Sequence, residues 1–143
     1  MNARRLPGVV HLELHTYDAP RAVTFPSALL GWSAEEVAVP ITRPVHPIVP
    51  TGGDSKGDEG GSYLSLRLGN GVGGGVVECG QPQPFWLPYV RVHALRQVTE
   101  RAQELGASVL LSPREGHAGW RSVVTDGATG DIAFWQPKTR WCP

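Results

Sequence analysis

The chain is poor in cysteine, has no excess of either charge and contains no long hydrophobic run. Its two cysteines, Cys79 and Cys142, show neither CxxC nor metal-finger spacing, which favours reduced thiols in a cytoplasmic protein over a disulfide. Thirteen basic residues balance thirteen acidic residues, so the chain has no overall positive charge to attract a nucleic acid. No stretch reaches the roughly 18 apolar residues that cross a bilayer. We therefore expect neither nucleic acid nor membrane as a partner.

Glycine and proline, by contrast, are abundant, with 18 and 13 residues among 143. This composition predicts many turns around a β-rich core, in a chain of the size of one domain. Residues 40–61 combine four prolines with the segment GGDSKGDEGG and predict a long loop. Such a loop is a lid or a disordered insertion, and the sequence leaves both alternatives open.

Residues 9–17, VVHLELHTY, contain the most informative pattern of the chain. Three titratable residues, His11, Glu13 and His15, alternate with aliphatic residues. Strict alternation predicts a strand with one polar and one apolar face. Glutamate and histidine are uncommon in strands, so three of them on one face require either solvent or a polar cavity. We expect this strand to line a cavity.

A helix is expected directly after this strand. Asp18 is a good N-cap, Pro20 suits the first turn, and Gly31 ends the run of apolar residues. Pro26 lies inside the predicted helix and lacks the backbone N–H that the helix needs. We therefore expect Pro26 to kink or split it.

The remaining elements follow the same order in both halves of the chain. The first half has a weak strand at 32–39, a strand at 62–68, an Asn70-Gly71 hairpin turn and an antiparallel strand at 72–79. The second half has a strand at 87–93, a helix at 94–105 and strands at 107–111, 119–125 and 131–136. The order strand, helix and three strands thus occurs twice, which predicts an internal repeat of about 70 residues.

Three segments resemble the vicinal-oxygen-chelate superfamily, also called the glyoxalase, bleomycin-resistance and extradiol-dioxygenase superfamily. They are HLELHTYDAPRAVTFPSALLGW, YVRVHALRQVTERAQELGASVLLSP and SVVTDGATGDIAFWQPK. The resemblance implies one α+β domain over residues 1–143, with βαβββ units at about 8–80 and 85–137. It also implies a curved mixed sheet around a small-molecule cavity, with the helices outside, and a homodimer. Whether the units pair within one chain or between two chains stays open.

The alternation assigns side chains to the two faces of that sheet. Aliphatic residues are predicted to face the helices: Leu12, Leu14, Leu64, Leu66, Leu68, Val90 and Val92. Polar residues are predicted to face the cavity: His11, Glu13, His15, Tyr63, Ser65, Arg67, Tyr89 and Arg91. The two arginines would bind a carboxylate, phosphate or enolate of a ligand, or form structural ion pairs. Trp86, Trp120, Phe134 and Tyr89 could stack on a planar ligand, whereas Trp32 and Trp135 are assigned to the core or the helix side.

Metal-dependent members of the superfamily place ligands near the start of each unit's first strand and on its last strand. The resemblance places His11 and Glu78 at the two positions of the first unit, but Leu87 and Phe134 at those of the second. Two ligands are too few for a catalytic metal unless Glu13, His15 or His46 joins them. We therefore favour a metal-free pocket in which His11 and Glu78 are hydrogen-bonded. A divalent metal remains the alternative.

The resulting functional prediction is an acid–base enzyme without an obligatory metal, acting on a small oxygen-rich metabolite. Glu13, with His11 or His15, would be the acid–base pair of an isomerase, epimerase, cyclase or lyase. The alternative is a binding protein that sequesters an antibiotic or another toxic small molecule, as the bleomycin-resistance relatives do. A metal-dependent glyoxalase or dioxygenase is the third candidate.

Overall fold

A computed structural model of the protein describes residues 6–36, 63–80, 82–116 and 118–138. Their elements are β1 (Val9–Thr16), α1 (Ala19–Leu30), β2 (Ala34–Glu36), β3 (Tyr63–Leu66), β4 (Gly73–Glu78), β5 (Phe85–Arg91), α2 (Leu95–Glu104), β6 (Ser108–Glu115), β7 (Gly119–Asp126) and β8 (Gly130–Pro137). The predicted loop at 40–61 lies outside the described residues, as does the end of the predicted strand at 32–39.

The chain divides into two compact units: an amino-terminal unit within residues 11–87, and a carboxy-terminal unit within residues 88–143 together with 1–10. Strand order is β1-β4-β3-β2 in the first and β5-β8-β7-β6 in the second. In both, the first pair is parallel and the other two are antiparallel. The α+β class and the repeated βαβββ order are therefore confirmed, while a single domain over 1–143 stays a prediction.

Helix α1 begins and ends where its capping residues predict. The Asp18 carboxylate accepts a hydrogen bond from the Arg21 backbone N–H at 3.1 Å, and Gly31 adopts the left-handed conformation at φ 72°. The helix continues through Pro26 as one element, so of the two expected effects of Pro26, a kink or a split, the split does not occur. Its inner face packs on the sheet of the amino-terminal unit.

The core of that unit contains the aliphatic residues of the alternating strands. Leu14 and Leu66 are buried there with Ala19 of α1 and Val76 of β4. Leu64 and Leu68 pack against this cluster. The helix-facing assignment of these leucines is therefore confirmed.

The Asn70-Gly71 turn joins β3 to β4 as predicted. Asn70 has a φ of 54° and Gly71 a φ of 73°, the positive values that a tight hairpin turn requires. The Val72 N–H donates to the Gly69 carbonyl at 3.2 Å and closes the turn. The turn holds β3 and β4 in one register, in which Tyr63 lies opposite Val77 and Ser65 opposite Gly75.

Helix α2 is joined to its sheet by polar contacts. The Gln136 side-chain oxygen accepts a hydrogen bond from the Leu95 N–H at 2.9 Å, which satisfies a donor of the first turn of the helix. The Thr99 and Ser122 hydroxyls lie 2.8 Å apart, both buried. Ser122 and Gln136 therefore mark the helix-facing side of this sheet.

Strand β6 is longer than predicted, because it continues through Pro113 to Glu115. Among the strands that the structure describes, it pairs only with β7, and its register shifts once between Val109 and Leu111 and again between Leu111 and Arg114. Proline cannot donate to a ladder, so strands tolerate it at such irregularities and at sheet edges. The two shifts bring Arg114 opposite Arg121 of β7.

The described helices include none that is long and apolar enough to cross a membrane.

Candidate functional site

The polar residues of β1 share one face with small residues of β4. His11 lies opposite Gly73, Glu13 opposite Gly75, and His15 opposite Val77. Leu14 lies on the other side of the strand, in the core under α1. The predicted polar face of β1 therefore exists, and it points away from the helix of its own unit.

Glu13 is the centre of this face. Its side chain is 5% exposed, and its carboxylate lies between two imidazoles: His15 Nε2 is 2.8 Å from Oε1, and His11 Nε2 is 3.9 Å from Oε2. An ionised carboxylate only accepts hydrogen bonds, so the His15 ring donates its Nε2–H to Glu13. The carboxylate is thus withdrawn from water but not from polar partners.

The two histidines differ in access. The His15 side chain is 1% exposed and its ring stacks on Phe85, with centroids 4.7 Å apart and planes 18° from parallel. The His11 side chain is 28% exposed. Only His11 of the pair can therefore touch a molecule that arrives from solvent, whereas His15 can orient Glu13.

Tyr63 lies across Gly75 beside the same carboxylate. A Cβ atom at Gly75 would meet the Tyr63 hydroxyl and would lie 2.8 Å from the ring carbon that bears it. Burial, and next the Glu13 charge, raises the pKa of Tyr63 to about 12. Tyr63 therefore keeps its proton at neutral pH and can donate a hydrogen bond.

We expect His11 to be neutral at pH 7. Burial lowers its pKa below 6.5, and the neighbouring Glu13 charge offsets only part of that effect. A histidine with a lowered pKa in the folded state stabilises the fold above pH 6.5, and this contribution is lost as the pH falls through the folded pKa. An NMR titration should place the His11 midpoint below 6.5. A His11 midpoint at or above 6.5 would contradict this assignment.

Glu78 lies on the other side of β4. Its partner across the ladder is Thr16, which shares the face of Leu14 rather than that of Glu13. The expected His11–Glu78 pair is therefore wrong, both as a hydrogen-bonded pair and as half of a metal site. Among the described residues, no three His, Cys, Asp or Glu side chains are grouped so as to hold a metal ion. His46, the loop candidate, lies outside them.

Trp120 and Phe134, which were expected to stack on a ligand in the cavity, lie on the other face of the sheet. Phe134 lies opposite Ser122 and Trp120 opposite Gln136, and both partners contact α2. These two aromatic rings therefore lie on the helix side. Trp135, which was assigned to the core or the helix side, lies on the opposite face.

Trp86 belongs to the amino-terminal unit, where it contacts Trp32 edge to face at 6.4 Å. Trp32 packs against the core under α1. Trp86 is therefore a neighbour of that core, although 42% of it is exposed. Its predicted role in stacking on a ligand has no support in this contact.

The other predicted site residues divide between the two units. Ser65 lies opposite Gly75 and so shares the face of Glu13. Arg67 is exposed beyond the end of β3, and its N–H donates to the Ser33 carbonyl at 3.0 Å. Tyr89 is buried and Arg91 exposed, both in the carboxy-terminal unit. Their roles in ligand binding stay predictions.

Two features of the structure were not predicted from the sequence. Gly75 makes the room that Tyr63 occupies, but the run of three glycines in β4 shows no alternation that would assign a face. Arg121 and Arg114 are brought together by the register of β6, which two irregularities determine. A glycine within a strand often marks a close approach of another group, so Gly75 was the one signal in the sequence for the position of Tyr63.

Comparison with solved structures supports the fold. Methylmalonyl-CoA epimerase from Mycobacterium tuberculosis is similar over 98% of this chain and 95% of its own, with a TM-score of 0.59 and 16% identity. A variant of the Streptomyces coelicolor methylmalonyl-CoA epimerase, in complex with 2-nitronate-propionyl-CoA, is similar over 94% of this chain and 100% of its own, with a TM-score of 0.58 and 12% identity. A hypothetical protein from Bacillus halodurans is similar over 97% of this chain and 100% of its own, with a TM-score of 0.59 and 10% identity.

No protein-family model and no curated protein sequence matches the chain. At these identities, the similarity concerns the fold alone. The paired βαβββ order and the similar epimerase structures together support, at the level of fold, the resemblance to the vicinal-oxygen-chelate superfamily.

Proposed function

We propose that the amino-terminal unit carries an acid–base site that removes and returns a proton on a carbon next to a carbonyl group. The observation that carries the proposal is the Glu13 carboxylate, buried and held between His15 and the partly exposed His11. A carboxylate that orients a neutral imidazole is a common arrangement for general base catalysis.

Each group has a separate role in this proposal. Neutral His11 takes the proton from carbon, and the resulting imidazolium is stabilised by the Glu13 charge. The electrons of the broken C–H bond move to the carbonyl oxygen, and the Tyr63 hydroxyl donates a hydrogen bond to the enolate so formed. Return of the proton to the opposite face of the same carbon completes an epimerisation, and its return to a different carbon completes an isomerisation. His15 does not touch the substrate and acts as a positioning residue.

Thioesters are the substrates to test first, because similar folds include epimerases solved with acyl-CoA ligands. A thioester carbonyl acidifies the neighbouring C–H bond, which suits a base of ordinary strength. No step of the proposal requires a metal. His11 and Glu78 cannot bind the same metal ion, because they lie on opposite faces of the sheet.

The experiment is hydrogen exchange of acyl-CoA thioesters in D₂O, followed by mass spectrometry. We expect the wild-type protein to introduce deuterium at the carbon next to the carbonyl, and His11→Asn to slow this about 100-fold or more. His93→Asn removes an exposed histidine outside the site and should exchange at the wild-type rate.

Tight thioester binding without exchange would overturn the proposal and would favour the sequestering protein. Equal loss in the His11 and His93 variants would also overturn it, because that loss would not come from the site. Lyase activity, bleomycin resistance, a homodimer and a cytoplasmic location remain predictions from the sequence.

A further inference from the structure

The first residue of β5 lies against the acid–base site of the amino-terminal unit. Phe85 belongs to this unit and is half-buried. Its ring stacks on the His15 imidazole, with centroids 4.7 Å apart and planes 18° from parallel. Rings at this separation attract each other in an offset stack. Phe85 therefore contacts the site through His15, and the proposed proton transfer leaves it without a role.

The contact of the next residue shows which face of the strand Phe85 occupies. Trp86 contacts Trp32 edge to face at 6.4 Å, and Trp32 packs against the core under α1. Successive residues of a strand point to opposite faces, so Phe85 shares the polar face of β1. The two adjacent aromatic side chains thus hold the start of β5 from both faces.

The orientation of the His15 ring depends on two contacts. One is the hydrogen bond from its Nε2–H to Glu13 Oε1, at 2.8 Å. The outer torsion of a histidine side chain has a broad energy minimum, so one hydrogen bond does not fix the plane of the ring. The stack on Phe85 is the second contact and restricts that plane. The His15 side chain is 1% exposed, so bulk water does not replace either contact.

Glu13 is the group that gains from this orientation. In the proposed reaction its charge stabilises the imidazolium of His11, whose Nε2 lies 3.9 Å from Oε2. Displacement of a catalytic group by about 1 Å can cost about 100-fold in rate. A residue that fixes the His15 ring therefore also fixes the carboxylate on which the proton transfer depends.

We propose that Phe85 is a positioning residue of the acid–base site. Its ring holds the His15 imidazole in the plane in which Nε2–H donates to Glu13, and so keeps the Glu13 carboxylate beside His11. Phe85 does not touch the substrate. The effect on catalysis rests on the proposed function, whereas the orientation of His15 can be measured without any substrate.

The kinetic test compares variants in the exchange of acyl-CoA thioesters in D₂O. Phe85→Leu keeps an apolar side chain but removes the flat ring, and should lower kcat about three- to tenfold at an unchanged KM. Phe85→Tyr keeps the ring and should retain kcat within about twofold of wild type. Phe25→Leu is the matched control, because Phe25 is 72% exposed on α1, and it should leave kcat and KM unchanged.

The second test is NMR of the protein without substrate. The ring current of a stacked phenyl group shifts the ring protons of His15 upfield, and a buried, hydrogen-bonded Nε2–H exchanges slowly with water. We expect both signals in the wild type, in Phe85→Tyr and in Phe25→Leu. Phe85→Leu should lose both while its circular dichroism stays that of the wild type.

The two tests separate this proposal from the proposed function. A wild-type protein that exchanges no thioester overturns the function, and NMR then still decides whether Phe85 orients His15. The role of Phe85 is overturned if the wild type lacks the upfield shift, or if Phe85→Leu keeps the wild-type kcat. Equal losses in Phe85→Leu and Phe85→Tyr also overturn it, as does a rise in KM alone. The wild-type spectrum tests the stack even if Phe85→Leu fails to fold.

Discussion

Glu13→Gln should reduce the proposed exchange of acyl thioesters about 100-fold to 10,000-fold while leaving the protein folded. The glutamine oxygen can still accept the hydrogen bond that His15 now donates to Glu13 at 2.8 Å, so the neighbouring ring keeps its position. What the variant lacks is the negative charge beside His11, which stabilises the imidazolium formed when that ring takes a proton. Rates in D₂O, with circular dichroism as a check of folding, measure the effect.

The same variant has a second expected consequence, for the titration of His11. The Glu13 charge raises the pKa of His11 against the larger effect of burial, so its removal should lower the NMR midpoint further. Glu100→Gln is the matched control, because this glutamate is exposed on α2. A Glu13→Gln protein that keeps more than about a tenth of the exchange rate would remove Glu13 from the mechanism.

Gly119→Ala should destabilise the protein by about 2 to 3 kcal/mol, by overpacking. The new Cβ atom would meet the Gln136 carbonyl oxygen and would lie 3.0 Å from the Pro137 Cα atom, and neither backbone atom can rotate away. The neighbouring strands would have to separate at this point. Urea unfolding followed by tryptophan fluorescence measures the change in the free energy of unfolding.

Gly127→Ala provides the comparison for this prediction. Gly127 follows β7 in an exposed turn, and nothing lies within 4 Å of a Cβ atom placed there. Its substitution should change the free energy of unfolding by less than about 0.5 kcal/mol. Equal effects of the two alanines would show that the contact between β7 and β8 at Gly119 is looser than the structure indicates.

The sequence predicted the amino-terminal unit well where its strands alternate. In β1 and β3, polar and aliphatic residues take turns without interruption, and Leu14 and Leu66 are buried under α1 as that pattern requires. The caps of α1 and the Asn70-Gly71 turn were equally readable, because each depends on a local backbone requirement. Local rules of this kind need no knowledge of the partner strand.

The faces of β4 and β8 could not be predicted in the same way. Glycines at 73–75 remove the alternation before Glu78, so only the pairing with β1 shows that Glu78 shares the face of Thr16. In β8, Phe134 and Trp135 are adjacent aromatic residues, and either could have faced the helix. Phe134 faces the helix, because Ser122, its partner in β7, is hydrogen-bonded to Thr99 of α2.

The position of Arg114 opposite Arg121 could not be predicted for a related reason. Arg114 and Arg121 meet only because β6 shifts its register twice, and a pattern within one strand contains no information about such shifts. Proline at 113 indicated an irregularity but not its size. Neighbours on different strands can be identified only when the pairing register of the strands is known.

The parallel pairing of β1 with β4 has a consequence for the order of events during synthesis. These are the first and last strands of their unit, and His11, Glu13 and His15 acquire their neighbours Gly73, Gly75 and Val77 only when the two strands meet. Contacts between distant parts of a chain form late, because the intervening segment must lose entropy first. A nascent chain that ends before β4 therefore has the three titratable residues but no surface on which they can work together.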